Sequence, residues 1–179
     1  MQLGARFNQG THDPLQQTVN FGKHKNGVYQ NALANGHRLG VFASSDHIST
    51  NAAYGGVYAE SFTRAGILEG LQARRTIGAT DKIFLEFECN GRMLGSIFET
   101  DRRPELTVRV EGTAPIARVT LVRNERDYKT FTPGTDERAF SVTYTDPEPL
   151  VGENRYYIRI EQIDGNMAWA SPVWVTFKP

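Results

Sequence analysis

The sequence has a single cysteine, Cys89, among its 179 residues. No disulfide can form within the chain, and one thiol says little about redox compartment. Net charge is also missing: Lys plus Arg and Asp plus Glu stand at 20 each. No global field therefore draws the chain to nucleic acid or to an anionic membrane, and no nucleic-acid partner is expected. No apolar run approaches the ~20 residues that cross a bilayer, so no membrane span is expected. The start, Met1-Gln2-Leu3-Gly4-Ala5-Arg6, lacks the basic-then-apolar order of a signal peptide. There is no internal repeat and no low-complexity tract. Histidine is scarce: His12, His24, His37 and His47 are the whole set, and no two form a His-x-His pair.

What is present is an ordinary globular balance, with 39% hydrophobic and 22% charged residues. The chain reads in two parts. Residues 1 to about 23 show no periodicity and read as a loop or extended arm. From His24 to Asn35, Val28, Tyr29, Ala32 and Leu33 fall at helical spacing, with Gly36 as a C′ stop. Arg38-Leu39-Gly40-Val41-Phe42-Ala43 has the pattern of a buried strand, Gly55 to Glu60 that of a second. Thr63 can cap a helix to about Arg74, with Ile67, Leu68 and Leu71 on one face. The order helix, strand, loop, strand, helix predicts a piece of parallel α/β sheet over residues 1–81.

After Asp81 the alternation changes to period two. Ile83, Leu85 and Phe87 alternate in a run that ends at Cys89, read as a small buried hydrophobe, and Asn90-Gly91 is a hairpin-turn signal. Further strands are expected over 93–99, 106–111, 117–123, 128–131, 139–144, 156–162 and 168–177. Short strands at this spacing predict an immunoglobulin-like antiparallel β-sandwich over 82–179. Tyr156-Tyr157-Ile158-Arg159-Ile160 reads as one buried face and one wet face. Trp169 and Trp174 are five apart and would point to opposite faces of a regular strand. A break at Pro172 would instead let both be core.

The residues that suggest chemistry form the loop Ser44-Ser45-Asp46-His47, placed after an apolar run where α/β proteins gather ligand side chains. Asp46 offers an anionic oxygen and His47 an imidazole nitrogen, a pair suited to zinc, manganese or iron. Ser44 and Ser45 can orient such ligands or bind a phosphate. The competing reading is an Asx-type turn with an exposed histidine. Arg74 and Arg75 can clamp a phosphate with their guanidinium groups, or can simply sit solvated at a helix C-terminus.

The run from Gly36 through Thr50, then Val57-Tyr58-Ala59-Glu60, then Ala73 through Asp81, resembles the end of a polymerase and histidinol phosphatase (PHP) domain. It is similar to a bacterial branch of uncharacterised proteins in which this barrel end precedes a β-sandwich. The resemblance runs from about Asp13 to Phe177. It implies an α+β chain: the C-terminal segment of an incomplete PHP-like α/β barrel, followed by the sandwich. It also implies a metal-dependent phosphoesterase-like hydrolase with a divalent metal and a phosphoester substrate, in which Asp46 and His47 match the last ligand motif. The family often spaces this pair as Asp-x-His, and relatives carry histidine where this chain has Asn51. The upstream His-x-His ligands are absent. A catalytic metal needs three or more protein ligands, so the chain alone is expected to be inactive. Its expected partner is then a missing N-terminal barrel region or another copy of the chain. The alternative expectation is a non-catalytic sandwich for binding or assembly, with the α/β segment as a docking adaptor.

Overall fold

A computed structural model of the chain describes residues 29–45 and 53–179. Its elements run α1 (Tyr29–Ala34), β1 (Tyr54–Val57), α2 (Arg64–Gln72), β2 (Thr76–Ala79), β3 (Phe84–Cys89), β4 (Arg92–Met93), β5 (Ile97–Thr100) and β6 (Glu105–Glu111). They continue with β7 (Ile116–Arg123), β8 (Arg126–Phe131), β9 (Ala139–Thr145), β10 (Gly152–Gln162), β11 (Met167–Ala170) and β12 (Val173–Phe177). Two sheets result. The smaller runs β4-β3-β6-β9. The larger centres on β10, with β7 and then β8 on one side. On its other side β10 pairs with both β12 and β11, which lead outward to β5 and to β2-β1 respectively. Every strand pair is antiparallel except β12 with β5.

The smaller sheet follows from its sequence. Leu85, Phe87 and Cys89 on β3 and Leu106, Val108 and Val110 on β6 alternate with polar residues, and all six are buried. Asn90 and Gly91 both take positive φ (50° and 71°), the geometry a two-residue hairpin turn requires. These residues face Val119 and Leu121 of β7, Tyr156, Ile158 and Ile160 of β10, Ala168 and Ala170 of β11, and Val173 and Val175 of β12. Together they make the sandwich core, sheet on sheet.

The N-terminal half departs from expectation. Among the described residues there is no α/β barrel, and the predicted parallel α/β segment is corrected to an antiparallel pair. Tyr54 to Val57 runs against Thr76 to Ala79, with α2 lying in the connection. A parallel pair would need helical crossovers on both faces and more strands to bury them. This pair instead extends the larger sheet, because β2 hydrogen-bonds to β11 (Trp169↔Gly78). The apolar run 38–43 is buried in part but joins no ladder. The backbone N–H of Val41 goes to the hydroxyl of Ser171 (2.8 Å), so the segment crosses the sheet without extending it.

That segment covers the outer face of the larger sheet. Tyr29, Leu33, Val41, Ala43 and Ala53 pack on Val122, Tyr157, Trp169 and Trp174. The wet face expected of Tyr156 to Ile160 is thereby corrected: Tyr157 is 1% exposed and Arg159 4%. Both tryptophans lie on this same face. The two-residue gap Ser171-Pro172 between β11 and β12 shifts the strand parity, so an odd-numbered and an even-numbered residue point the same way. Gly78 lies directly across from Trp169. A Cβ there would sit 3.1 Å from Ala43 Cβ and Val41 Cγ1, so glycine is what permits the close approach.

Candidate functional site

Asp46 and His47, the metal ligands expected from the sequence, lie outside the described residues. The residues that bracket them are described. Ser45 donates its hydroxyl to the Ala53 carbonyl (3.0 Å) and accepts from the Ala53 N–H (2.9 Å). The Ser45 side chain is thus engaged with Ala53, a structural task for a group expected to orient a ligand. Ser44 is exposed.

Arg74 and Arg75 do not converge. Arg74 has a positive φ of 59° just past α2. Its guanidinium lies 5.6 Å from the Trp174 ring centroid, and its Nε donates to the Gly95 carbonyl (3.2 Å). Partial burial, then the nearby Arg38, lowers its pKa from the usual guanidinium value. Arg75 instead reaches Glu69 (3.3 Å) and Glu60 (3.7 Å). One arginine stacks on the outer core, and the other pairs along α2.

The helix before them caps as its sequence predicts: the Thr63 hydroxyl accepts from the Gly66 N–H at 3.1 Å. Its packing face is different from the one expected. Gly66 and Gly70 are buried, while Leu68 and Leu71 are exposed. A Cβ at Gly70 would meet the Tyr58 carbonyl oxygen at 2.6 Å. The helix lies too close to the chain on that side for larger residues.

The strongest polar constellation was not foreseen. Asp146, fully buried at the start of the β9–β10 connection, accepts from Tyr156 Oη (2.6 Å), Tyr128 Oη (2.7 Å), Arg123 Nη1 (2.8 Å) and the Glu148 N–H (3.0 Å). Burial pushes its carboxyl pKa up, but these four donors together hold it below the usual value. Burial and the same carboxylate raise both tyrosines well above the usual phenol value. The Arg123 guanidinium also lies 3.8 Å from the Tyr128 ring centroid. Every group here is spent on another, so the cluster ties β7, β8 and β10 to the connection. The Asp146-Pro147 dipeptide reads in sequence as a turn breaker; its four donors come from three strands and a loop, which no local pattern reveals.

A second polar node fastens the outer layer. Ser171 Oγ donates to the Thr76 carbonyl (2.7 Å) and accepts from the Val41 N–H. Its only proton being used, it also accepts from Thr76 Oγ1 (2.9 Å). Tyr29 Oη donates to the Leu39 carbonyl (2.6 Å), Gln30 Nε2 to Tyr157 Oη (2.7 Å), and Arg38 pairs with Glu153 (2.6 Å). Cys89 is buried, and its thiol is pushed up to about 12 by that burial and then by Asp146 and Glu105. Such a thiol is a packing group, not a nucleophile.

Among the described residues no three His, Cys, Asp or Glu side chains lie together in a way that could hold a metal ion. With no α/β barrel among the described residues, the expected metal-binding hydrolase framework is corrected to a β-sandwich. No helix of the described residues is long and apolar enough to cross a membrane.

No family model matches the chain. It is similar to an uncharacterised protein of Chlamydia trachomatis, 28% identical over 177 residues, which span 90% of this chain and 28% of the relative. An uncharacterised protein of Chlamydia pneumoniae is 32% identical over 135 residues, covering 66% of this chain and 22% of that protein. The chain thus spans less than a third of the curated relatives it matches. Among solved structures it is similar to the fibronectin(III)-like modules of Clostridium thermocellum CbhA. The TM-score is 0.37 at 16% identity, over 52% of this chain and 98% of that one.

Proposed function

We propose that this chain is a non-catalytic β-sandwich module for binding or assembly, with residues 29–45 built into the module as the cover of its larger sheet. The observation that carries this reading is where the polar groups go. Asp146, Arg123, Tyr128 and Tyr156 satisfy one another, and Ser171, Thr76 and Val41 do the same across the outer layer. Buried polar groups engaged in this way rigidify a fold, and none of these is free to act as an acid, base or nucleophile. Arg74 and Arg75, stacked and ion-paired apart from each other, fit the same picture.

The reading is tested by titrating the chain with zinc and with manganese in a calorimeter, and by assaying p-nitrophenyl phosphate hydrolysis with each metal. The Asp46→Ala/His47→Ala double variant is run beside it. Equal traces for the two proteins are expected. Metal-dependent hydrolysis by the chain that disappears in the double variant would overturn the proposal.

A further inference from the structure

The rims of the two sheets differ in how they are defended. The edge strand β8 reads Arg-Asp-Tyr-Lys-Thr-Phe, and its three charges discourage a further strand from adding to it. The edge strand β9 of the smaller sheet reads Ala-Phe-Ser-Val-Thr-Tyr-Thr. It is seven residues long with no charge, no proline and no glycine. Among the described residues β9 pairs with β6 alone.

The direction of its free backbone groups follows from its ends. The Gly112 N–H donates to the Arg138 carbonyl and the Asp146 N–H to the Pro104 carbonyl. Even-numbered residues therefore turn their backbone groups toward β6, and Ala139, Ser141, Thr143 and Thr145 turn theirs outward. The side chains of Phe140, Val142 and Tyr144 point inward and pack against the sandwich core, yet remain only partly buried at the rim. Behind them Phe131 lies 6.3 Å from Phe140 and 5.8 Å from Tyr144, ring centroid to ring centroid. Across the gap, Lys129 of β8 sits over the rings of Phe131 and Tyr144, 5.8 and 6.0 Å from their centroids. It belongs to the other sheet and stays out of the β9 ladder.

The sequence of β9 is close to a palindrome about Val142: alanine against threonine, phenylalanine against tyrosine, serine against threonine, and valine against itself. We propose that β9 is a self-association edge, pairing antiparallel with β9 of a second copy of this chain about a twofold axis at Val142. This rests on the reading of the chain as an assembly module and names its partner. In that register every outward residue meets an outward residue, so each pair exchanges both hydrogen bonds. Phe140 lies across from Tyr144 of the second copy and the two Val142 side chains meet at the axis. Aromatic and β-branched pairs of this kind stabilise sheets. Ser141 lies across from Thr143, and no like charges meet. A self-complementary patch of this sort is what a twofold interface requires, and the two small sheets become one continuous sheet.

Sedimentation velocity of the chain over a concentration series tests this, with the Ser141→Lys/Thr143→Lys variant beside it. Both positions are exposed, so the lysines face each other only in the paired state. The wild type is expected to shift from monomer to dimer as concentration rises. The double-lysine variant is expected to stay monomeric over the same range, with a circular dichroism melt matching that of the wild type at the low concentrations where it too is monomeric. Val142→Cys supplies an independent readout: mild oxidation should give a dimer linked through position 142, since Cys89 is buried. A wild type that stays monomeric throughout overturns the proposal. So does a dimer that survives the double lysine, or one that never links through position 142. None of these outcomes involves metal uptake or hydrolysis, so they fail separately from the module reading.

Discussion

Over β10, β11 and β12 the two faces of the larger sheet are both dry, but they are dried by different means. The inner face meets a second sheet, and its residues are aliphatic and regularly spaced: Val119, Leu121, Ile158, Ile160, Val173 and Val175. The outer face carries Trp169, Trp174 and Tyr157, and what covers them is one short helix and a stretch of chain in no sheet. Large flat rings suit an irregular cover, since they bury much area without needing a matching pleat. Sheet-on-sheet packing can be inferred from alternation alone. A coil laid on a sheet cannot, because nothing in either segment states that they meet.

The sharpest way to break this comparison is Trp174→Ala. Truncating a buried tryptophan costs about 3–5 kcal/mol, read as a lower midpoint in denaturant. Amide exchange should accelerate first at Val41 and along Thr76–Ala79, with β3 and β6 still protected. A uniform rise across both sheets would show that the two faces unfold as one.

Asp146→Asn probes the inner side. Losing the charge-assisted bonds should cost about 1.5–3 kcal/mol at neutral pH. Because the folded carboxyl is held below its ordinary value, its contribution is complete above about pH 4, the unfolded carboxylate range. It fades as pH falls through the folded pKa. The gap between wild type and variant should therefore shrink on acidification, measured by urea unfolding at pH 7 and at successively lower pH.

Ser171→Ala acts only on the fastening of the outer layer. It leaves the Val41 N–H without its acceptor, for about 1–3 kcal/mol, and should speed exchange of that amide above all others. Smallest of all, alanine at Ser44, Asp46 or His47 should move stability by no more than ~0.5 kcal/mol in the same unfolding assay. A larger loss would give that loop a structural role in covering the sheet.

The sandwich was legible because its signals are local. The Asn90-Gly91 turn, the alternation of Leu85, Phe87 and Cys89, and the spacing of the later strands each lie within a few residues. Burial of both tryptophans was legible as the reading that a break near Pro172 allows, and the break is there. The parallel pairing of residues 54–57 and the strand over 38–43 were misread because apolar periodicity is the same whether the partner is a parallel neighbour or a face of a distant sheet. Arg38 to Ala43 looks like a buried strand and is buried, but its hydrogen-bond partner is a side chain 130 residues away. The α2 face was inverted for a related reason: Gly66 and Gly70 bury by being small, so the leucines of the same helix are left outside. The Asp146 cluster draws on donors up to 23 residues away on different strands. Of the candidate site, Ser45, Arg74 and Arg75 proved to be spoken for by contacts that only the fold creates.

The pairing of β2 with β11 also sets a schedule. Thr76 and Ser171, which fasten that junction, are 95 residues apart in sequence. At a synthesis rate of about 5–20 residues per second, β2 leaves the ribosome roughly 5–20 s before its neighbour exists. During that interval Leu33, Val41 and Ala43 have no tryptophan face to settle on. The segment made earlier is seated later, once β11 and β12 have been made.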